Sequence, residues 1–208
     1  MWWKKLEENK ENLAHLDKLC ALLETYIDSS AKISPKATLV GKVAVGPDTT
    51  ICAGAHIEGP VLIGRGCLIG NNTMLRGPLT IAAGSRIGLA VELKNSVIGS
   101  RVFMGPMCYV ADSVVDSEAY LGALVRTSNQ RLDRKPVSVM HEGMLHDTGL
   151  DKLGAYIGAN ASLGIQVIIL PGRIVAPGSI FGPRITIERN LPAARYTLKQ
   201  ELRVSALA

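Results

Sequence analysis

A six-residue period constrains the fold of this chain more than any other feature of its sequence. An aliphatic residue recurs at every sixth position, with two slips of one residue and one interruption. A helix repeats about every 3.6 residues and a strand every two, so neither element explains a period of six. The repeated positions are Ile33, Leu39, Val45, Ile51, Ile57, Ile63, Ile69, Leu75, Ile81, Ile87, Leu93, Ile98, Met104, Val110, Val115, Leu121, Ile157, Leu163, Ile169, Val175, Phe181 and Ile187.

A triangular coil accounts for this period. Each hexad forms one short strand and a corner, three hexads close one turn, and the repeated aliphatic residue points inward. Glycine often follows that residue, as in IGRGCL and IGNNTM, and we expect it to supply backbone angles that other residues avoid. The sequence therefore predicts an all-β fold, a parallel β-helix over residues 31–190 with roughly seven coils about 4.8 Å apart.

Three segments depart from the repeat. Residues 1–30 are predicted to form an amphipathic helix and a linker, because their apolar residues fall on one helical face. Residues 127–156 form an irregular loop without the hexad pattern, and a long excursion from a regular scaffold is more often functional than decorative. Residues 191–208 form a C-terminal tail. The apolar helix positions are Leu6, Leu13, Leu16, Cys20, Leu23 and Ile27.

Composition narrows the class of protein. No run approaches the roughly 20 apolar residues that cross a bilayer, and MWWKKLEENK lacks the apolar stretch of a signal peptide. We therefore expect a cytoplasmic protein with no membrane partner. The net charge of +5 is spread without a basic stripe, which disfavours nucleic acid and suits small anionic ligands. The four cysteines form no CxxC pair and are predicted to be free thiols.

Several segments carry a closer resemblance to a known family. They are HIEGPVLIG, LRGPLTIAAGSRIG, VELKNSVIG, YVADSVV, HDTGLDKLGAYIG and LPGRI. Together they resemble the C-terminal β-helix of bifunctional sugar-1-phosphate nucleotidylyltransferase/acetyltransferases of the glucosamine-1-phosphate acetyltransferase type, the archaeal forms above all. These belong to the hexapeptide-repeat acyltransferases, and the resemblance implies a left-handed β-helix. WWKKLEENKENL resembles the helical linker after the nucleotidylyltransferase half, so we expect no nucleotidyl transfer by this chain.

The resemblance implies an activity and a set of binding residues. Family members acetylate the amino group of an amino-sugar phosphate with acetyl-CoA, in a cleft between subunits of a homotrimer. Such chemistry needs cations for the phosphate, a base, and a donor for the developing oxyanion. The residues that match substrate-binding positions of the family are Arg76, Lys94, Tyr109 and Asn129, with Lys135 near a family lysine. The sequence identifies no residues for the acyl donor.

The position of the catalytic base departs from the family. The family histidine falls on Pro106, three residues before Tyr109, and a family asparagine is replaced by Tyr120. The remaining catalytic candidates are His141, His146 and Tyr109, although a phenol with an ordinary pKa near 10 accepts protons poorly. Two functions stay open. The first is an acyltransferase with an altered base, acting on an amino-sugar phosphate or nucleotide sugar. The second is a non-catalytic trimer that binds such a ligand and associates with a separate nucleotidylyltransferase.

Two further expectations concern ions. HEGMLH has the histidine spacing of β-helical carbonic anhydrases, but the third histidine would fall on Gly105. Zinc sites need at least three protein ligands, so we expect no metal. Arg76 and Lys94 lie about one full coil apart, so both should emerge on one face, where two adjacent cations should require an anion between them.

Overall fold

The computed structural model describes residues 1–14, 25–199 and 201. Within these ranges the chain forms one helix, α1 (Lys4–Ala14), followed by short strands. In chain order the strands are β1 (Thr25–Ile27), β2 (Lys32–Ile33), β3 (Thr38–Val40), β4 (Val43–Val45), β5 (Thr50–Ile51), β6 (His56–Glu58), β7 (Val61–Ile63), β8 (Leu68–Ile69), β9 (Met74–Arg76), β10 (Leu79–Ile81), β11 (Arg86–Ile87), β12 (Glu92–Lys94), β13 (Val97–Ile98), β14 (Phe103–Met104), β15 (Tyr109–Ala111), β16 (Val114–Val115), β17 (Tyr120–Leu121), β18 (Arg126–Thr127), β19 (Ser138–His141), β20 (Met144–Asp147), β21 (Ala155–Ile157), β22 (Ser162–Leu163), β23 (Ile168–Ile169), β24 (Arg173–Val175), β25 (Ile180–Phe181), β26 (Thr186–Ile187) and β27 (Arg195–Tyr196).

The strands stack into three parallel sheets that form the walls of a prism. The first sheet has the order β1-β4-β7-β10-β13-β16-β21-β24, and the second has the order β2-β5-β8-β11-β14-β17-β22-β25-β27. The third sheet has the order β3-β6-β9-β12-β15-β18-β23-β26. Each sheet takes one strand from every coil, so the predicted parallel β-helix is confirmed. The excursion is not irregular throughout, because β19 and β20 pair as an antiparallel hairpin.

The repeated aliphatic residues fill the interior of the prism. From Val45 onward every one of them is buried, and the first two are partly buried against the same core. The phase slips are coils that are one residue shorter than the others: Ile81 faces Ile98, which in turn faces Val115. Register is kept across the slips because each inward side chain still stacks on the one below.

The corner glycines serve a different purpose from the one expected. Gly105 does not have a left-handed backbone; the residue that does at this corner is Met107, with φ 57°. A Cβ on Gly105 would lie 2.7 Å from the backbone nitrogen of Ala123 in the next coil. The glycine is therefore required by the close approach of two coils, and only a minority, such as Gly178 with φ 69°, supply the predicted backbone freedom.

Helix α1 runs along the outside of the first sheet. Its C-terminal Leu13 packs on Ala44 and partly buried Leu62, and the Thr80 hydroxyl donates a 2.6 Å hydrogen bond to Oδ1 of Asn9. Its N-terminal end joins an apolar cluster on the later coils. No helix in the described ranges is long and apolar enough to cross a membrane. The buried members of the cluster, here called the tryptophan cluster, are Trp2, Trp3, Leu6, Val114, Val137, Val139 and Leu153.

Both ends of the chain add strands to the prism. Ile27, expected on the helix, lies in β1 instead, because Thr25–Ile27 pairs with Val43–Val45. The other helix positions past residue 14, which are Leu16, Cys20 and Leu23, lie outside the described residues. In the predicted tail, Arg195–Tyr196 pairs with β25. With these additions the first sheet has eight strands and the second nine, and the third sheet has eight, so each exceeds the roughly seven coils that the sequence predicts.

Candidate functional site

The predicted binding residues meet on the outer face of the third sheet. Arg76 ends β9 and Lys94 ends β12, and the two residues face each other in register. Tyr109 on β15 faces Glu92 on β12 in the same way. Neighbouring strands lie about 4.8 Å apart, so the two cations emerge one coil apart on one face, as the spacing predicts. Their role in holding a ligand stays a prediction.

Each of these cations has a carboxylate partner within the chain. Arg76 Nη2 donates to Glu92 Oε1, and Lys94 Nζ lies 3.6 Å from Asp112 Oδ2. Glu92 and Asp112 therefore already compensate the charge of the two cations, so repulsion alone does not require an anion between them, and the binding of an anion there stays a prediction. Both side chains of the Arg76–Glu92 pair are more than one-third exposed, and exposed pairs stabilise a fold little. Arg76 is thus available to an incoming anion.

Asp112 is the buried centre of the site. Its carboxylate accepts a 2.5 Å hydrogen bond from the Asn95 amide and a 2.6 Å bond from the Asn129 amide. Backbone hydrogen bonds also join the start and the end of the excursion near Asp112: Leu153 N donates to Asn129 O, and Gly154 N donates to Asp112 O. The side-chain amide of Asn129, predicted to bind substrate, thus holds Asp112 in place beneath Lys94.

Tyr109 is suited to donate a proton and not to accept one. Partial burial raises its pKa above the ordinary value near 10, the negative charges of Glu92 and Asp112 raise it further, and Arg76 offsets part of the shift. The phenol is therefore neutral at physiological pH, which contradicts its use as a base. Glu92 and Asp112 are site residues that the sequence analysis missed. The only signal for Glu92 was its position two residues before Lys94, on the same side of the strand.

The corner that carries Pro106 is apolar. Pro106 is exposed between β14 and β15. Backbone hydrogen bonds stack this corner on its neighbours, from Met107 N to Leu89 O and from Leu124 N to Pro106 O. The residues at the same position in the coils below and above are Leu89 and Ala123. None of the three side chains accepts a proton, so the corner offers no base at the family position.

The two histidines of the excursion lie on a different wall of the prism. His141 on β19 and His146 on β20 have ring centroids 6.2 Å apart. Both pack against Trp3, at 6.1 Å and 5.7 Å, and Trp3 is buried on the first sheet with Val114. Within one chain they are therefore not brought together with Arg76, Lys94 and Tyr109 on the third sheet. The expectation that the loop carries a replacement base to that face has no support in one chain.

The remaining candidates are peripheral. Lys135 is exposed, and its backbone nitrogen donates to Asp133, whose carboxyl pKa is lowered mainly by its hydrogen bonds from Arg131. Tyr120 stacks on Phe103 in the second sheet at 5.1 Å between centroids. Burial raises the pKa of the Cys108 thiol to about 11, so it is not a nucleophile at neutral pH. Among the described residues, no group of three or more His, Cys, Asp or Glu could hold a metal.

Comparison with known proteins reveals relatives over nearly the whole chain. No model of a known protein family matches. An Escherichia coli protein named uncharacterized acetyltransferase YaiX is 49% identical over 209 residues, covering 97% of this chain and 88% of that protein. A bifunctional sugar-1-phosphate nucleotidylyltransferase/acetyltransferase of Sulfurisphaera tokodaii is 33% identical over 189 residues, which are 91% of this chain and 45% of that protein.

One solved structure agrees with the architecture. A UDP-N-acetylglucosamine acyltransferase from Bacteroides fragilis superposes with a TM-score of 0.53 at 14% identity, over 83% of this chain and 68% of that one. At this identity the likeness shows the fold alone. It confirms that the β-helix is left-handed, as the resemblance implied.

Proposed function

We propose a function from the premise that this chain belongs to the hexapeptide-repeat acyltransferases. We infer that it transfers the acetyl group of acetyl-CoA to the amino group of an amino-sugar phosphate or nucleotide sugar. The observation that carries this proposal is the register of Arg76 on Lys94, beside Tyr109, on the open face of the third sheet.

The site favours a phosphorylated substrate. Among the described residues, Arg76 forms an ion pair with Glu92 whose side chains are more than one-third exposed, and a phosphate would offer its guanidinium a stronger, bidentate contact. Lys94 would add a second charge from the next coil. The Sulfurisphaera relative is named for a sugar 1-phosphate, which supports a sugar phosphate. Nucleotide sugars also present phosphate groups to such cations, and we therefore include them.

The corner between the second and third sheets fits the acyl donor. Leu89, Met107 and Ile165 are exposed at this corner on the fourth, fifth and seventh coils, a row about 14 Å long at the usual strand spacing. The extended pantetheine arm of acetyl-CoA would lie with its methylene groups along this row and carry its acetyl group to the Tyr109 side. Acetyl-CoA supplies the acetyl group as a thioester, and this reaction belongs in the cytoplasm.

One chain provides only one wall of such a cleft. We therefore propose the homotrimer of the family, in which a second subunit closes the site against the exposed corner. Light scattering should give about three times the chain mass. A single-chain mass over a wide concentration range would contradict it.

The step that this site supports least is removal of a proton from the substrate amine. The substrate amine must lose a proton, and neither Pro106 nor Tyr109 accepts one at neutral pH. Glu92 is the ionisable group beside Tyr109, but its carboxylate is engaged by Arg76. Loss of a general base costs about 10²–10⁴-fold in rate, so we expect slow turnover by the natural protein.

A second candidate function is binding without catalysis. The observation that favours it is the apolar corner, where Leu89, Pro106 and Ala123 follow one another through three coils. The protein would then bind a sugar phosphate through Arg76 and Lys94 and act on a separate nucleotidylyltransferase. Both candidates use the same binding residues and differ only in turnover.

Restoring the base distinguishes the two candidates. Pro106→His should raise the acetylation rate of glucosamine 1-phosphate by about 10²–10⁴-fold, because an imidazole with a pKa near 6.5 accepts a proton at neutral pH. The measurement is thiol release from acetyl-CoA by the natural protein and by Pro106→His, His141→Ala and His146→Ala.

The histidine variants serve as the matched controls. Because the hairpin that carries both histidines packs over the first sheet, we expect each variant to keep the rate of the natural protein. A rate abolished by either one would mean that the hairpin supplies the base after all. No turnover in any of the four proteins, together with binding of glucosamine 1-phosphate, would establish the non-catalytic function.

A further inference from the structure

Arg173 occupies a position that the three preceding coils fill with small buried residues. It is the first residue of β24 and stacks on Ala155, which stacks on Ser113, and both neighbours are completely buried. A long cationic side chain cannot enter the core there, so it turns toward the corner between the third and first sheets. Its Nε atom is buried and has no hydrogen-bond partner among the described residues. A buried donor without a partner is costly.

A cleft lies where this guanidinium emerges. It has a volume of about 500 Å³, within the range of small-molecule pockets. The start of the excursion forms one side, the first residues of β19 another, and the corner before Arg173 the floor. Polar groups on its walls include Ser128, Gln130 and Ser138.

The charges in the cleft leave Arg173 uncompensated. Asp133 is the acidic residue of the lining, and it receives two hydrogen bonds from Arg131, at 2.8 and 2.6 Å. Its charge is therefore committed to Arg131. Burial, and then the positive charge of Arg131, lower the pKa of Arg173, but an arginine in a protein stays protonated. The cleft thus holds two guanidinium groups and one carboxylate.

We propose that this cleft binds a phosphoryl anion, with Arg173 Nε as its buried donor and Arg131 as a second cation. A guanidinium presents a rigid fork of donors that matches the oxygens of a phosphate. The anion would satisfy the orphaned Nε and separate the two positive charges.

This site is separate from the one at Arg76 and Lys94. Lys94 faces Ala111 in the third sheet, and Ser128 in the cleft continues that column by one more coil. Two coils correspond to about 10 Å. The proposal therefore holds or fails independently of acetyl transfer.

The direct test observes the Arg173 Nε–H group. Inorganic phosphate is titrated into the protein while the arginine Nε–H signals are followed by ¹H–¹⁵N NMR, and the signal absent from Arg173→Gln identifies Arg173. We expect this signal to move on titration. Calorimetry in an Arg76→Gln/Lys94→Gln background should show about tenfold weaker phosphate binding after Arg173→Gln. Arg173→Lys, which keeps the charge but loses Nε, should also bind more weakly.

Arg86→Gln is the matched control, because it removes one exposed arginine from the second sheet. It should leave phosphate binding unchanged. An Arg173 signal that stays in place, or equal weakening by Arg86→Gln, would overturn the proposal. Uridine diphosphate and glucosamine 1-phosphate are titrated in parallel. Tighter binding of either identifies the carrier of the phosphoryl group, and equal binding of all three means that the phosphate alone is recognised.

Discussion

The first and third sheets of this prism are built alike but are used differently. The first sheet is covered by the chain itself, since α1, both tryptophans and the hairpin β19–β20 pack on its outer face. The outer face of the third sheet carries Arg76, Lys94, Glu92 and Tyr109, all half-buried, with no helix of the described chain upon it.

This difference separates the two histidines of the excursion from the predicted binding residues. His141 and His146 resemble catalytic residues in the sequence, but on the first sheet they are packing partners of Trp3. Ionisable groups on the third sheet instead pair with one another, Arg76 with Glu92 and Lys94 with Asp112. We therefore expect the substrate of acyl transfer to bind on the third sheet.

The largest expected effect is a loss of stability when the packing on the outer face of the first sheet is disrupted. Trp3→Ala should lower the free energy of unfolding by about 3–5 kcal/mol, the usual cost of truncating a buried tryptophan, because Trp3 holds α1 and the hairpin together. Chemical denaturation measures it. Phe103→Ala, an exposed aromatic residue of the second sheet, is the control and should cost about 1 kcal/mol. Equal losses would mean that the tryptophan cluster is not a core.

A second prediction concerns the open face. Arg76→Gln should weaken the binding of glucosamine 1-phosphate by about 10- to 100-fold, the effect of losing a hydrogen bond to a charged group, and should leave the unfolding free energy nearly unchanged. Calorimetry at low salt measures the affinity. Arg86→Gln removes the same charge from the second sheet and should bind normally. If it weakens binding as much as Arg76→Gln, attraction by net charge explains the effect and the third-sheet site does not.

The smallest effect is a pH dependence on the covered face. Tyr156 donates a 2.5 Å hydrogen bond to Asp116, and burial, this bond and the negative charge of Asp116 raise its pKa from 10.0 to about 12. The folded state holds this proton more tightly than the unfolded state. The stability contributed is therefore fully present below pH 10 and is lost as the pH rises through about 12.

Tyr156→Phe should remove this dependence, a change of about 1 kcal/mol after allowance for solvent screening. Unfolding free energies measured across this alkaline range test it. Tyr120→Phe, on the exposed face of the second sheet, is the control and should leave the dependence of the unfolding free energy on pH as it is in the natural protein. A slope unaffected by Tyr156→Phe would show that the hydrogen bond to Asp116 does not control the titration.

Much of the architecture could be predicted because it is periodic. The hexad places each inward side chain by local spacing alone, and even the slips at Ile98 and Val115 are readable as shorter coils. The spacing also places Arg76 and Lys94 one above the other. The sequence showed that glycine matters at the corners, but the predicted reason, backbone freedom, was wrong for residues such as Gly105. Gly105 is required by the close approach of the next coil, which leaves no local signal in the sequence.

The sequence by itself determined the β-helix, its inward residues and the register of Arg76 on Lys94, because all three depend on one repeated local distance. Only the tertiary structure decided where the excursion lies, and with it the packing of His141 and His146 against Trp3. It also decided the hydrogen bonds of Asn129 to Asp112 and the meeting of Arg131 with Arg173. These contacts join aperiodic segments far apart in the chain, and their geometry is set by packing on the finished prism.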